Sequence, residues 1–271
     1  MDELILVKLG GSVITDKTKP FTEDIKTIKR LVKEIHEVRE DKDFRLIVGN
    51  GGCSYPHSTA AKFKTNLGII NEDSYEGIAK VQDAAARLNR IIVRELIDAG
   101  ENAVSISPSS CSITENGEIK EMFLKPLMKL LEYDMLPVIY GDVIFDLKRG
   151  CVILSTEKIL AYLGKTLKKN YKVSRIIMCT NVDGIFTDDP NINPKAELIP
   201  LITPENIEEF KNYLHGSAGT DVTGGMLHKV KKMLELTEDG INTEIINAKK
   251  SGLLKKALLG EISLGTSIKK I

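Results

Sequence analysis

Apolar positions along this chain switch between two spacings, and the switching predicts strands separated by helices. Leu4–Leu9 is a short apolar run, interrupted at Lys8 and ending in Gly10-Gly11, the pattern of a buried strand. Over residues 22–39, Ile25, Ile28, Leu31, Val32, Ile35 and Val38 fall on one helical face. Phe44–Gly49 predicts a second strand. Val81, Ala84, Ala85, Leu88, Ile91, Ile92 and Leu96 predict a helix over 81–97, and Ala103–Ser107 a third strand. Asn116-Gly117 signals a tight hairpin, followed by a helix at about 121–132 and the strand Leu136–Tyr140. Val143–Ile153, broken at Lys148-Arg149-Gly150, predicts a second hairpin. A helix near 156–168 then precedes the strand Arg175–Thr180. Helices near 204–213 and 223–237, the strand Thr243–Asn247, and a last short helix and strand complete the pattern.

Alternation of this kind predicts an α/β fold with a mostly parallel central sheet covered on both faces. The 271 residues suit one domain of two lobes, with the irregular stretch Asp188–Pro204 between them. In open parallel sheets ligands bind beyond the carboxyl ends of the strands. Four such ends carry chemistry-bearing residues: Lys8–Ser12, Gly49–His57, Gly141-Asp142 and Thr180–Gly184.

Charge and composition narrow the function classes. Thirty-eight basic residues balance thirty-eight acidic ones, which argues against a nucleic-acid scavenger or a polybasic membrane binder. No apolar run approaches the roughly 18 residues that span a bilayer. The opening MDELILVKLGGS sets two acids before its apolar run, unlike a secretory signal, so a cytoplasmic protein is expected. Cys53, Cys111, Cys151 and Cys179 are scattered, with no C-x-x-C pair, which speaks against a disulfide framework or a structural zinc. Tryptophan is absent and aromatics are 5%, a poor supply of stacking platforms for single-stranded nucleic acid.

The strand ends point instead to phosphate. In Lys8-Leu9-Gly10-Gly11-Ser12, with Lys17 beyond, a glycine pair lets backbone N–H groups approach an anion, and the lysines can neutralise developing charge. Asn50-Gly51-Gly52-Cys53-Ser54-Tyr55-Pro56-His57 repeats the device with a histidine able to hydrogen-bond a phosphate. In Thr180-Asn181-Val182-Asp183-Gly184, Asp183 can hold Mg²⁺ through water, orient a lysine or cap a turn. In Asp221-Val222-Thr223-Gly224-Gly225-Met226, with Lys229, a helix start can face an anion. Each segment alone also reads as an ordinary turn or helix cap. Together they suit phosphoryl transfer, which needs positioning and charge stabilisation more than a covalent nucleophile. No G-x-S-x-G elbow supports a serine hydrolase, and no residue set is assigned as a metal cage.

KLGGS, NVDG and DVTGGMxxK resemble the amino acid kinase superfamily. Within it, KLGGSVITDK, GGxSYxH, SISPSS, LPVIYGDVIFD, TEIINA and ALLGEISLGTSI are similar to archaeal-type isopentenyl phosphate kinases, from about Leu4 to the C-terminus. The resemblance implies an αβα sandwich. An N-terminal acceptor lobe would span about 1–170 and a C-terminal nucleotide lobe about 171–271. It also implies ATP and Mg²⁺, a homodimer, and conversion of isopentenyl phosphate to isopentenyl diphosphate in isoprenoid biosynthesis. By the same resemblance Lys8, Gly10, Gly11 and Ser12 contact the ATP phosphates, and Lys17 stabilises the transferring group. Gly51 and Gly52 line the junction of acceptor and ATP, and His57 binds the acceptor phosphate. Asp183 organises the nucleotide site, and Gly225 and Lys229 hold the distal phosphates. Asn50, Cys53 and Pro56 depart from the family's glycine-rich H-G-[GA]-G-S-F-G-H segment, and Ser155-Thr156-Glu157 stands for its S-G-D, bringing Glu157 toward the acceptor. These departures keep two alternatives in view: a sister kinase for another phosphate or phosphonate acceptor, of the fosfomycin-kinase kind, and a nucleotide-binding sensor without turnover.

Overall fold

The apolar runs of the sequence become neighbouring strands. The computed structural model describes residues 1–190, 192–216 and 225–271, with backbone alone for residues 212, 214–216 and 225. Its first part comprises β1 (Glu3–Leu9), α1 (Gly11–Ile14), α2 (Ile25–Asp41), β2 (Arg45–Asn50), α3 (Pro56–Phe63), α4 (Asp73–Asp98) and β3 (Ala103–Ser105). Then follow β4 (Ser112–Glu115), β5 (Glu118–Met122), α5 (Lys125–Glu132), β6 (Leu136–Tyr140), β7 (Asp142–Asp146), β8 (Gly150–Leu154), α6 (Thr156–Leu167) and β9 (Lys172–Thr180). The last part holds β10 (Ile185–Phe186), β11 (Leu198–Ile199), β12 (Leu201–Ile202), α7 (Ile207–Gly216), α8 (Gly225–Thr237), β13 (Asn242–Asn247), α9 (Leu253–Leu259) and β14 (Gly265–Ile268).

The central sheet has the order β12-β14-β13-β9-β1-β2-β6-β3. The run from β13 to β3 is parallel, β14 lies antiparallel to β13, and β12 pairs with β14 at the edge. Residues alternate faces along each strand. Leu4 and Leu6 of β1 therefore pack with α5, α6 and α8 on one side. Ile5, Val7 and Leu9 pack with α2, α4 and α9 on the other. The result is an αβα sandwich whose parallel strands all end at one edge, and every strand end singled out in the sequence lies there.

Four expectations need correction. The helix expected from about 121 begins at Lys125, because residues 118–122 form β5, an edge strand in which only Met122 is buried. The helix expected over 81–97 starts at Asp73; its first turns bury Ser74 and Gly77, which carry no apolar stripe. Residues 56–63, for which no helix is expected, form α3, and Pro56 occupies the first turn, where its missing N–H costs nothing. Ala103–Ser107 ends as a strand at Ser105. The expected helix start at Thr223 and the Asp221–Gly224 segment lie outside the described residues.

Both predicted hairpins form, and they join in a second sheet of order β5-β4-β7-β8. Asp146 ties them together. Its Oδ1 accepts N–H groups from Asn116 (3.2 Å), Lys148 and Arg149 (both 2.9 Å), and its Oδ2 accepts that of Gly117 at 2.8 Å. Burial works against the charged carboxyl, but these backbone donors outweigh it and hold Asp146 well below the ordinary range. A lowered folded pKa stabilises above the unfolded value of 3.8, and this is lost as pH falls toward the folded value. Asp146→Ala should therefore cost about 3 kcal/mol at neutral pH. The penalty in urea melts should shrink steadily below pH 4; a pH-independent penalty would assign it to packing instead.

Candidate active site

Two glycine loops meet at the carboxyl edge of β1 and β2. Gly51 N–H donates to Leu9 O at 2.9 Å, and Gly10 N–H donates to Cys179 O at 3.0 Å on the neighbouring β9. A Cβ on Gly10 would lie 2.3 Å from Cys179 O, and one on Gly51 would lie 2.8 Å from the Gly11 nitrogen. Only glycine permits this approach. Cys53 adopts a φ of 40°, in the left-handed region, and its Cβ packs where a side chain on Gly11 would stand.

Lys8 shares the β1 face of Leu4 and Leu6, the face toward α6, and there its ammonium forms an ion pair with Glu157. Glu157 lies in the first turn of α6, behind the N-cap Ser155, whose Oγ accepts Lys158 N–H at 3.3 Å. Burial opposes ionisation of Glu157. The charge and hydrogen bond of Lys8, with the charge of Lys229 from α8, overcome it and hold the carboxyl below its ordinary range. The structure thus brings together Lys8, Lys229 and Glu157 from three elements. Glu157, expected near the acceptor, is the acid that binds the Lys8 ammonium.

Lys17 rides on an exposed turn closed by the Thr15–Glu23 bridge and by Asp24 N–H donating to Ile14 O at 2.8 Å. That turn is docked on the second glycine loop. Phe21 N–H donates to Ser54 O at 3.3 Å, Tyr55 OH donates to Glu23 Oε2 at 2.5 Å, and the Phe21 and Tyr55 rings meet edge to face. Ser12, Thr15, Lys17, Asp24 and Lys249 line a cavity of about 440 Å³ beside the first loop. His57 sits exposed in the first turn of α3, its N–H donating to Cys53 O at 3.3 Å.

Asp183 follows β9, and its carboxylate is taken up by Lys250 at 2.6 Å and Asn247 Nδ2 at 3.0 Å, which lower its pKa. Of the roles open to it, orienting a lysine is the one seen, but the lysine is Lys250. Lys249 in turn pairs with Asp24 at 2.7 Å. Burial disfavours the Asp24 carboxylate, yet Lys249 and Thr27 bring its pKa down to about 2. Sequence reasoning missed Asn247, Lys249 and Lys250, although they end or follow the strand Thr243–Asn247 and the strand-end rule would have flagged them. At Gly141-Asp142, buried Asp142 accepts N–H groups from Ser109 (3.1 Å) and Val143 (2.8 Å). Gly225 opens α8, and Lys229 lies one turn inside it.

The arrangement holds cations around a glycine-built concavity, a setting for binding and transferring phosphoryl groups. The profile of the amino acid kinase family matches residues 3–247. The isopentenyl phosphate kinase of Methanothermobacter thermautotrophicus is 33% identical over 273 residues, covering 98% of both chains. That of Methanocaldococcus jannaschii is 33% identical over 274 residues, again covering 98% of both. A crystal structure of isopentenyl phosphate kinase superposes with a TM-score of 0.83 at 30% identity, covering 98% of this chain and 100% of that one.

Proposed function

This chain belongs to the amino acid kinase family, and from that premise we propose that it transfers the γ-phosphoryl group of ATP to isopentenyl phosphate, giving isopentenyl diphosphate and ADP. The observation that carries the proposal is the ion pair of Lys8 with Glu157 beside two abutting glycine loops, where the charge of Lys229 also favours the Glu157 carboxylate. The isopentenyl phosphate kinases it resembles over nearly their whole length supply the acceptor.

In this reading an oxygen of the acceptor phosphate attacks the γ-phosphorus in line, and the bond to the β-bridging oxygen breaks as ADP leaves. A phosphate monoester is largely dianionic at neutral pH, with a second pKa of about 6, so the chain need not supply a strong base. Its task is to hold two anions together and neutralise charge. Gly10, Gly11 and Ser12 cradle the nucleotide phosphates with Lys8, while Gly225 and Lys229 hold their distal end. Gly51 and Gly52 line the junction, Lys17 meets the transferring group, and His57 binds the acceptor phosphate. Asp183 fixes the nucleotide-side loop through Lys250. Among the described residues no cluster of three His, Cys, Asp or Glu side chains could cage a metal. Mg²⁺ would enter with the ATP phosphates, and when bound there it would supply neutralisation of their charge.

We assign the acceptor to the N-terminal lobe, about 1–170, and the nucleotide to about 171–271. The working form is a cytoplasmic homodimer; among the described residues no helix is long and apolar enough to cross a membrane. ADP release with isopentenyl phosphate, dimethylallyl phosphate, geranyl phosphate and fosfomycin tests the acceptor directly. Turnover confined to fosfomycin would move the chain to the sister activity, and ATP binding without turnover would make it a sensor. His57→Ala should raise the KM for the acceptor by about 10–100-fold, as expected for a lost hydrogen bond to a charged group, and leave the KM for ATP unchanged. Equal acceptor kinetics would remove His57 from the site.

A further inference from the structure

Glu157 reaches Lys8 from a helix start that is pinned by neutral side chains. Thr156, only 2% exposed, donates its Oγ1 hydrogen to Asn50 O at 2.7 Å across 106 positions of sequence. Its methyl group lies against Gly49, where a Cβ would come within 2.6 Å of it. Asn50 is the last residue of β2, paired in register with Leu9, the residue after Lys8. Strand and helix start therefore approach as closely as a glycine at position 49 allows, and the Thr156 hydroxyl sets their separation.

Asn50 is held in turn from behind. Asn89 of α4, fully buried, donates from Nδ2 to Asn50 Oδ1 at 3.0 Å and accepts Ser105 Oγ at 2.6 Å on Oδ1. Turning the Asn89 amide over would set its oxygen against Asn50 Oδ1, so the bond to Asn50 holds the amide in this orientation. Gly141 N–H also donates to Asn50 O, at 3.3 Å. Asn50 thus collects β2, β3, the end of β6, α4 and α6. A buried polar chain with every member satisfied is rigid, and breaking one link leaves its neighbour unsatisfied.

We propose that Thr156 and Asn89 are positioning residues for phosphoryl transfer, acting through Asn50 to hold the first turn of α6 so that the Glu157 carboxylate meets the Lys8 ammonium. The proposal rests on the reading that Lys8 serves the transfer. Neither residue touches the reacting groups in this scheme. Their effect is to keep Lys8 from swinging out of the cradle, and a rigid donor costs no reorganisation when charge develops.

Thr156→Val keeps shape and removes the hydroxyl, and Thr156→Ser keeps the hydroxyl. The valine variant should lower kcat by about tenfold, the scale of one net hydrogen bond, with the KM for ATP within about twofold of the parent. The serine variant should recover most of the loss. In a Glu157→Gln background, Thr156→Val should cause no further fall in kcat, because the ion pair it positions is already gone. Carbon-13 NMR titration of the Glu157 carboxyl supplies a readout independent of turnover: its pKa should rise in the valine variant and stay put in the serine variant. Asn89→Leu should move kcat and the titration the same way as Thr156→Val. If the parent releases no ADP with any acceptor, the functional reading falls while the titration still decides the positioning role. An unchanged Glu157 titration in Thr156→Val, or a full tenfold loss on top of Glu157→Gln, overturns the inference.

Discussion

Lys8→Met should lower kcat by about 10²–10³-fold, the cost of withdrawing one preorganised donor from developing charge. The size follows from where Lys8 stands. It leaves β1 on the α6 face, is only 16% exposed, and is paired with a carboxylate fixed in the first turn of that helix. Methionine keeps the length of the stem and removes the charge, so the approach of that stem to Gly51 survives. The carboxylate left behind is the second consequence. Glu157 ionises readily because Lys8 and Lys229 outweigh its burial, and with Lys8 gone its pKa must rise. In the parent a lowered folded pKa stabilises the protein above the unfolded glutamate value and ceases to do so as pH falls through the folded one. That contribution shrinks in Lys8→Met. Adding Glu157→Gln should restore the melting temperature, since no charge is then left uncompensated, but not the turnover. Steady-state kinetics and thermal melts of the single and double variants test both halves. A kcat within tenfold of the parent in Lys8→Met would remove Lys8 from the transfer step.

The sequence made the parallel frame readable because buried strands in such sheets carry short apolar runs: Leu4–Val7 in β1, Leu46–Val48 in β2, Leu136–Tyr140 in β6 and Ile176–Cys179 in β9, with only Ile245 and Ile246 in β13. It hid what lacks an apolar stripe. In α3 only Pro56 is buried, so Pro56–Phe63 shows no face to count. The start of α4 packs through Ser74 and Gly77 against its neighbours, and small or polar residues do not signal burial. Site chemistry followed the same division. Lys8, Gly10, Gly11, Gly51 and Asp183 stand at strand ends, where a general rule looks for them. Glu157 was visible as an acid, but its partner was not, because 149 residues separate it from Lys8. Asn50, Asn89 and Thr156 were harder still. Their importance comes from being neutral, buried and mutually satisfied, properties that exist only once three strands and two helices have met.

Lys17→Ala should leave the fold untouched and cut kcat by about 10² or more, with little change in ATP affinity. The asymmetry between the two quantities is what the geometry argues for. Lys17 is exposed on a turn whose backbone is fixed independently of its side chain, through the Thr15–Glu23 bridge and the contact of Phe21 with the second glycine loop. Removing the side chain therefore takes nothing from the core, and the melting temperature should match the parent. The same docking sets Lys17 beside the loop of Gly51 and Gly52 that leads into α3, assigned to the acceptor in the proposed scheme, while its cavity is also lined by Ser12, assigned there to the nucleotide. A cation held between the two anions gains most when charge is shared between them, which is the transition state and not either ground state. An interaction made mainly at that stage lowers kcat and kcat/KM together when it is lost, and leaves binding of ATP alone nearly unchanged. Isothermal titration with ATP and single-turnover phosphoryl transfer separate these quantities. Weakened ATP binding with normal single-turnover rates would make Lys17 a nucleotide anchor, and no change in either would leave it a solvated lysine on a turn.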